Sequence, residues 1–185
     1  MFSRIFLLLS LAALSSCSTG RNFYLLSAAG PPPSSGSGMG LGIGPITMAD
    51  YLVERPYLVF QSTPHKMEIS DLHEWGGDLR NDFSRVLASN LGRRKGSGNL
   101  RTYPWEREDE LQYQITVDVR QFHGTADGDA LLEASWRVYE LPSSRLIASK
   151  TTSLREPILQ DGFEALVAAQ SRLVDRLAAS IASKL

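Results

Sequence analysis

Apolar residues run from Ile5 to Leu14 behind a single positive charge, Arg4, broken only by Ser10, and small residues follow at Ser15 and Ser16. A run of about ten apolar residues is too short for a bilayer core of roughly 30 Å, and this order is that of an export signal. Past it, Phe23-Tyr24-Leu25-Leu26 has strand composition. The stretch from Ser27 to Gly38, rich in Pro, Gly and Ser, is able to bury almost nothing and predicts an exposed, partly extended loop. Leu41 to Met48 predicts a second strand, and Pro45, which has no N–H to donate, points to a sheet edge. Tyr57 to Gln61 predicts a third strand, and Lys66 to Ile69 alternates as a short fourth.

Helical spacing then takes over. Leu79, Phe83, Val86, Leu87 and Leu91 fall three or four apart, while Arg80, Asn81, Asp82, Arg85 and Ser89 make the opposite, polar face. Gly92 reads as the stop, and Trp75 as a side chain packed near the start. Arg93-Arg94-Lys95, at the carbonyl end, reads as a solvated cap that complements the helix dipole, with a phosphate-binding patch as the alternative. From Leu111 to Val119 apolar and polar residues alternate strictly. Phe122 is out of phase with that run, which predicts a bulge near Arg120-Gln121. Asp127-Gly128 supplies turn chemistry, and a returning strand places Leu132, Ala134, Trp136 and Val138 on one face. After a turn at Leu141-Pro142-Ser143-Ser144, another strand runs from Arg145 to about Leu154. Connections this short make an antiparallel meander. A final helix starts near Asp161, read as its cap with Glu164 three residues on, and carries an apolar stripe from Phe163 to Leu185. Such a stripe is a core face or, alternatively, a surface for a partner helix. Helices segregated on one face of a largely antiparallel sheet give an α+β fold with two main helices.

The 185 residues carry 19 Lys and Arg against 20 Asp and Glu. This balance leaves no basic footprint for nucleic acid, and 43% hydrophobic residues suit a folded body. Catalytic patterns are missing. His65, His73 and His123 are scattered without metal-ligand spacing, and no Gly-x-Ser-x-Gly elbow anchors a hydrolase triad. The glycine-rich stretch at Gly36 to Gly42 lacks the Gly-Lys-Ser/Thr ending of a phosphate loop. Neither an enzyme nor a metal site is expected.

One cysteine occurs in the chain, so no internal disulfide is available. It is Cys17, at the end of Leu14-Ser15-Ser16-Cys17, which looks like a lipobox. The expectation is cleavage after Ser16, with diacylglyceryl and N-acyl lipid carried covalently on Cys17 and no other cofactor. The alternative is an ordinary secretory signal whose cleavage site happens to lie beside a cysteine. Several acyl chains hold a protein stably where one holds it marginally. Ser18, in place of the aspartate that retains enteric lipoproteins in the inner membrane, favours the outer membrane, facing the periplasm.

The order of these features resembles the ABC-type transport auxiliary lipoproteins, including the PqiC-like proteins of intermembrane transport systems. The residues that carry the resemblance are Cys17 followed by Phe23-Tyr24-Leu25-Leu26, then Gly42-Ile43-Gly44-Pro45-Ile46, Tyr51-Leu52 and Arg55-Pro56-Tyr57-Leu58-Val59. Trp75 and Leu79 before the helix, Val117 and Phe122, Trp136 on the next strand and the helix from Phe163 complete it. Gly76-Gly77 departs from the pattern, where residues better suited to a helix are usual. The resemblance implies a leader over 1–16, a lipidated N-terminus with a short strand and loop over 17–40, and an auxiliary lipoprotein domain over 41–185. It further implies a non-enzymatic docking subunit that pairs with an MCE-domain protein and its inner-membrane transporter, helps move phospholipid or other lipids between membranes, and assembles as a homo-oligomeric ring. A carrier lipoprotein that binds lipid or a small ligand by itself is the second expectation, and an envelope hydrolase, with no candidate residue, the third. Arg55, Tyr57 and Trp75 are candidates for the partner interface, because Arg and aromatic residues dominate binding hot spots. For Tyr57 and Trp75 the competing role is packing.

Overall fold

The computed structural model describes residues 20–31, 33–34, 36, 38–105 and 110–185. The expected leader, Cys17 and Ser18 lie outside them.

Among the described residues eight strands form one sheet: β1 Asn22–Tyr24, β2 Leu41–Met48, β3 Tyr57–Thr63, β4 Lys66–Trp75, β5 Leu100–Thr102, β6 Tyr113–Thr125, β7 Asp129–Glu140 and β8 Arg145–Pro157. Three helices accompany them among the described residues: α1 Asp50–Val53, α2 Leu79–Lys95 and α3 Phe163–Ala182. The fold is α+β. The β6–β7–β8 meander carries the longest ladders, both antiparallel, as the short connections require. Parallel pairs join β1 to β4, β2 to β5 and β6, and β3 to β6, each across a longer excursion.

Strand β6 is where the sheet forks. One of its edges pairs with β7 along nearly its whole length. The other edge is shared, with β2 alongside Tyr113 to Val119 and β3 alongside Gly124 and Thr125. Beyond β2 lies β5, and beyond β3 lie β4 and then β1. The expected bulge falls at Arg120, where the β6–β7 register shifts between Val119 and Gln121. One extra residue resets the alternation and turns Phe122 into the core.

Several local expectations give way to tertiary context. Strand β2 lies inside the sheet, between β5 and β6, only over Leu41 to Ile43; at Pro45, past its last β5 pair, its outer side is an edge, as expected. Pro45 is tolerated because the β2–β6 register is interrupted between Ile43 and Ile46, so no ladder bond needs its missing N–H. Strand β4 continues to Trp75 and is far longer than its alternating start, because β3 and β1 flank it. Gly92 does not end α2. The helix runs on to Lys95, and Gly96, at φ 63°, ψ 29°, is the left-handed cap. Gly92 is instead a close-approach site, where a Cβ would stand 2.5 Å from the Ser97 carbonyl oxygen. At the other end of α2, the Asp78 carboxylate accepts from the Asn81 N–H at 2.8 Å, so the helix starts directly after Gly76-Gly77. Asp161 does not cap α3; Gly162, at φ 103°, occupies that place with no side-chain cap bond.

The core lies between the sheet and the α2–α3 layer. Phe83, Val86, Leu87 and Leu91 of α2 and Leu173, Val174, Leu177 and Ile181 of α3 are fully enclosed with Ile115, Val119, Leu132, Ala134, Trp136 and Val138. Each large side chain of this set contributes about 1.5–3 kcal/mol by leaving water. The α3 stripe is therefore a core face. The Trp136 indole N–H donates to the Thr152 hydroxyl at 2.9 Å, which removes the penalty of burying it.

Candidate functional site

Residues 22–29 are built into the body. Strand β1 pairs in parallel with the end of β4, Asn22 with His73 and Tyr24 with Trp75. Tyr24 and Leu26 turn inward. The Tyr24 hydroxyl meets His73 Nδ1 at 2.7 Å, and Leu26 joins the core. His73 stacks on Phe163 of α3 at 4.0 Å between ring centroids, which ties β1, β4 and α3 together. Burial, with a smaller contribution from the Glu164 charge, holds the Tyr24 phenol above its usual pKa.

Polar residues of α2 hold the next few residues. The Leu26 N–H donates to Asp82 Oδ2 at 2.7 Å, the Ala29 N–H to Asn90 Oδ1 at 2.9 Å, and the Ser27 N–H to the Ser171 hydroxyl of α3 at 3.1 Å. Arg85 pairs with Asp82 and donates to the Leu26 carbonyl. Asp82 reads from the sequence as part of a solvated helix face, yet it is buried, because the N-terminal segment crosses over it. Asn90 is fully enclosed for the same reason. The only sequence signal for either is a polar residue at a helical position next to the apolar stripe, which is too weak to single them out.

The basic run at the end of α2 is engaged within the fold. Arg93 and Arg94 clamp Asp175 of α3 at 2.9 and 2.6 Å, and Lys95 donates to the Ala182 carbonyl. On either side of Asp175 in α3, Arg172 and Arg176 grip Glu156 of β8. Burial works against that carboxylate, but the two guanidiniums outweigh it and hold it below the usual range.

Arg55, Tyr57 and Trp75 come together where β3 begins and β4 ends. The Trp75 N–H donates to the Pro56 carbonyl at 2.6 Å, and Tyr57 is registered opposite Glu74. A groove of about 240 Å³ lies here, lined by Leu52, Val53, Arg55, Pro56, Trp75 and Asp78 among others. The three residues differ in what they present. Arg55 is exposed, Tyr57 half-buried, and Trp75 buried, stacked over Phe122 at 6.4 Å, which meets Phe83 edge-on at 5.5 Å. Trp75 thus packs at the start of α2, as its position before Leu79 suggests.

The histidines do not converge. His65 is exposed, His73 belongs to the stack described above, and His123 is buried against Tyr51. Burial lowers the His123 pKa and pushes that of Tyr51 up to about 12. Among the described residues, no three His, Cys, Asp or Glu side chains gather so as to hold a metal ion, and no helix is long and apolar enough to cross a membrane.

Known proteins agree with this architecture. A solved structure of a protein described only as uncharacterised is 19% identical, with a TM-score of 0.73 over 89% of this chain and 97% of that one. A Xanthomonas campestris protein assigned to DUF330 is 15% identical, with a TM-score of 0.66 over 86% and 92%. At such identities the likeness speaks for the fold alone. No curated protein sequence matches. A family model does match, over residues 24–182, from β1 to the end of α3: the chain belongs to the family of ABC-type transport auxiliary lipoprotein components.

Proposed function

We propose that this chain is a non-enzymatic docking subunit, held by acylated Cys17 on the periplasmic face of the outer membrane, which supports a lipid transport system reaching it from the inner membrane. The MCE-domain protein of that system and its transporter are the partners, phospholipid is the cargo, and several copies form a ring around the path. The family supplies the transport-auxiliary role. The observation that carries the docking reading is that residues 22–29, a few positions after Cys17, do not hang from the body as a free linker. They enter the sheet as β1, the core through Leu26, and α2 through Asp82 and Asn90. Force exerted between the membrane and a partner would pass into the fold along these contacts. Arg55, exposed beside half-buried Tyr57, is the side chain offered to the partner.

Affinity purification from solubilised envelopes, followed by mass spectrometry, tests this reading. It expects an MCE-domain protein in the eluate, in an amount reduced by Arg55→Glu. An eluate with neither an MCE-domain protein nor a transporter component overturns it. A carrier that binds lipid by itself is the second reading, favoured by a groove of about 680 Å³ between residues 22–29 and α3. Its walls mix Phe23, Leu25 and Val167 with Glu164, Arg172 and Asp175, a charged lining for an acyl chain. Native mass spectra of the protein would show a bound lipid mass if the carrier reading holds, and the bare chain if it does not.

A further inference from the structure

Large apolar side chains left in water are concentrated at one edge of the sheet. Of the eight in this state among the described residues, five lie on or directly after the paired strands β1 and β4: Phe23, Leu25, Met67, Ile69 and Leu72, each between 36% and 65% exposed. Phe23 and Leu25 are two apart, on the side of the chain opposite to inward-turned Tyr24 and Leu26. Leu72 precedes His73, the register partner of Asn22, so it lies beside this pair. Met67 and Ile69 continue the stripe toward the β3–β4 turn, where β4 itself is the outermost strand. An apolar stripe along an edge strand invites aggregation and is normally interrupted by charge. Here the nearest charges are Arg21, which bridges to Glu74 at 3.1 Å with its guanidinium largely exposed, Glu68 and Asp71 within the stripe, and Lys66 at its far end, which neutralises Glu68 at 2.7 Å.

We infer that this β1–β4 edge is a membrane-contact surface, which lays Phe23, Leu25 and the exposed apolar residues of β4 on the phospholipid boundary that holds the Cys17 lipid. The inference rests on the reading of Cys17 as the lipid anchor. Its physical basis is the shortness of the tether. Five residues lie between Cys17 and Phe23, six steps along the chain with a reach of at most about 22 Å when fully extended. The stripe is thus the part of the body that the anchor keeps beside the bilayer, and residues 22–29 are fixed to the fold and unable to swing it away. Arg21, on the same side of the strand as Phe23, stands where a headgroup phosphate would meet a cation. Aromatic and aliphatic side chains sink about 5–10 Å into such a boundary, which orients the body as well as adding to its attachment.

Fluorescence in lipid vesicles tests the assignment. The mature lipidated protein is reconstituted in phosphatidylethanolamine with a minority of phosphatidylglycerol, either unlabelled or brominated at a shallow or a deep acyl position. Phe23→Trp places a reporter on the stripe and Leu146→Trp one at an exposed site on β8, each read as a difference from the unchanged chain, whose Trp75 and Trp136 are buried and whose Trp105 is half-buried. Neither replacement disturbs the core, since both positions face water. The emission added by Phe23→Trp is expected to fall with shallow bromine, and less with deep bromine, while that of Leu146→Trp does not change. Vesicle flotation of the same samples reads the anchor separately. A chain that floats while Phe23→Trp is unquenched keeps the anchor and overturns the contact surface. A chain that does not float overturns both. Unquenched emission that shifts to the blue as protein concentration rises would give the stripe to a second copy of this chain and likewise defeat the inference.

Discussion

Replacing Asp82 by alanine should loosen the grip of the body on its N-terminal segment more than it weakens the body itself. Asp82 Oδ2 accepts from the buried Leu26 N–H at 2.7 Å, and its other oxygen pairs with Arg85. Removing the carboxylate leaves a buried N–H without its acceptor, which costs about 1–3 kcal/mol. Arg85 is 60% exposed in its side chain and regains water when its partner goes, so that ion pair adds under about 1 kcal/mol. A total near 2 kcal/mol multiplies the open population of the segment roughly thirtyfold, since each 1.4 kcal/mol is a factor of ten. Local opening of this kind is read by hydrogen–deuterium exchange. Peptides covering residues 22–30 of Asp82→Ala should exchange at least tenfold faster, while those covering β6 and β7 slow down or speed up far less. Asp82→Asn retains an acceptor for the Leu26 N–H and should recover most of the protection. If the alanine variant exchanges at 22–30 like the parent chain, or only in step with global unfolding, the segment is held by Leu26 and β1 alone and the reasoning about α2 fails.

The interior of α2 offers a reversal of the usual rule for glycine. Gly92→Ala should gain about 1 kcal/mol in helix propensity, but the new Cβ meets the Ser97 carbonyl oxygen at 2.5 Å and Leu100 Cδ1 at 2.7 Å. Displacing backbone costs about 1–3 kcal/mol, so urea denaturation should show a net loss; a gain would mean that the loop after α2 yields freely. Thr152→Val strands the buried Trp136 indole N–H and should cost about 1–3 kcal/mol in the same assay, whereas Thr152→Ser should stay near the parent value. For His123, burial depresses the pKa in the folded state below the unfolded value of 6.5. The unfolded chain therefore takes up the proton first as pH falls, and stability contributed by the neutral ring, complete above 6.5, should decline on acidification below it. Thermal melts between pH 7.5 and 5 should show a shallower decline for His123→Gln; an identical pH slope would remove His123 as the cause.

Local periodicity determined much of this protein by itself. The Leu111–Val119 alternation, the Phe122 phase break, the Asp127-Gly128 turn and the two apolar stripes from Leu79 and Phe163 each match an element of the fold, because exposure to water on one side and to the core on the other repeats every two or 3.6 residues. The α+β class and the family pattern follow from those elements in order. Long-range neighbours decided the rest. Three-residue β1 and β5 exist only because β4 and β2 offer open edges to pair with. Pro45 is received by a register break between β2 and β6, Gly92 is helical because Gly96 supplies the left-handed turn, and Asp82 and Asn90 are buried because a segment more than fifty residues upstream crosses them. A chain of side chains states which face is apolar; which other segment comes to cover that face is settled only when the whole sheet closes, since the pairing energy of such short strands and single hydrogen bonds does not exist until both partners are in place.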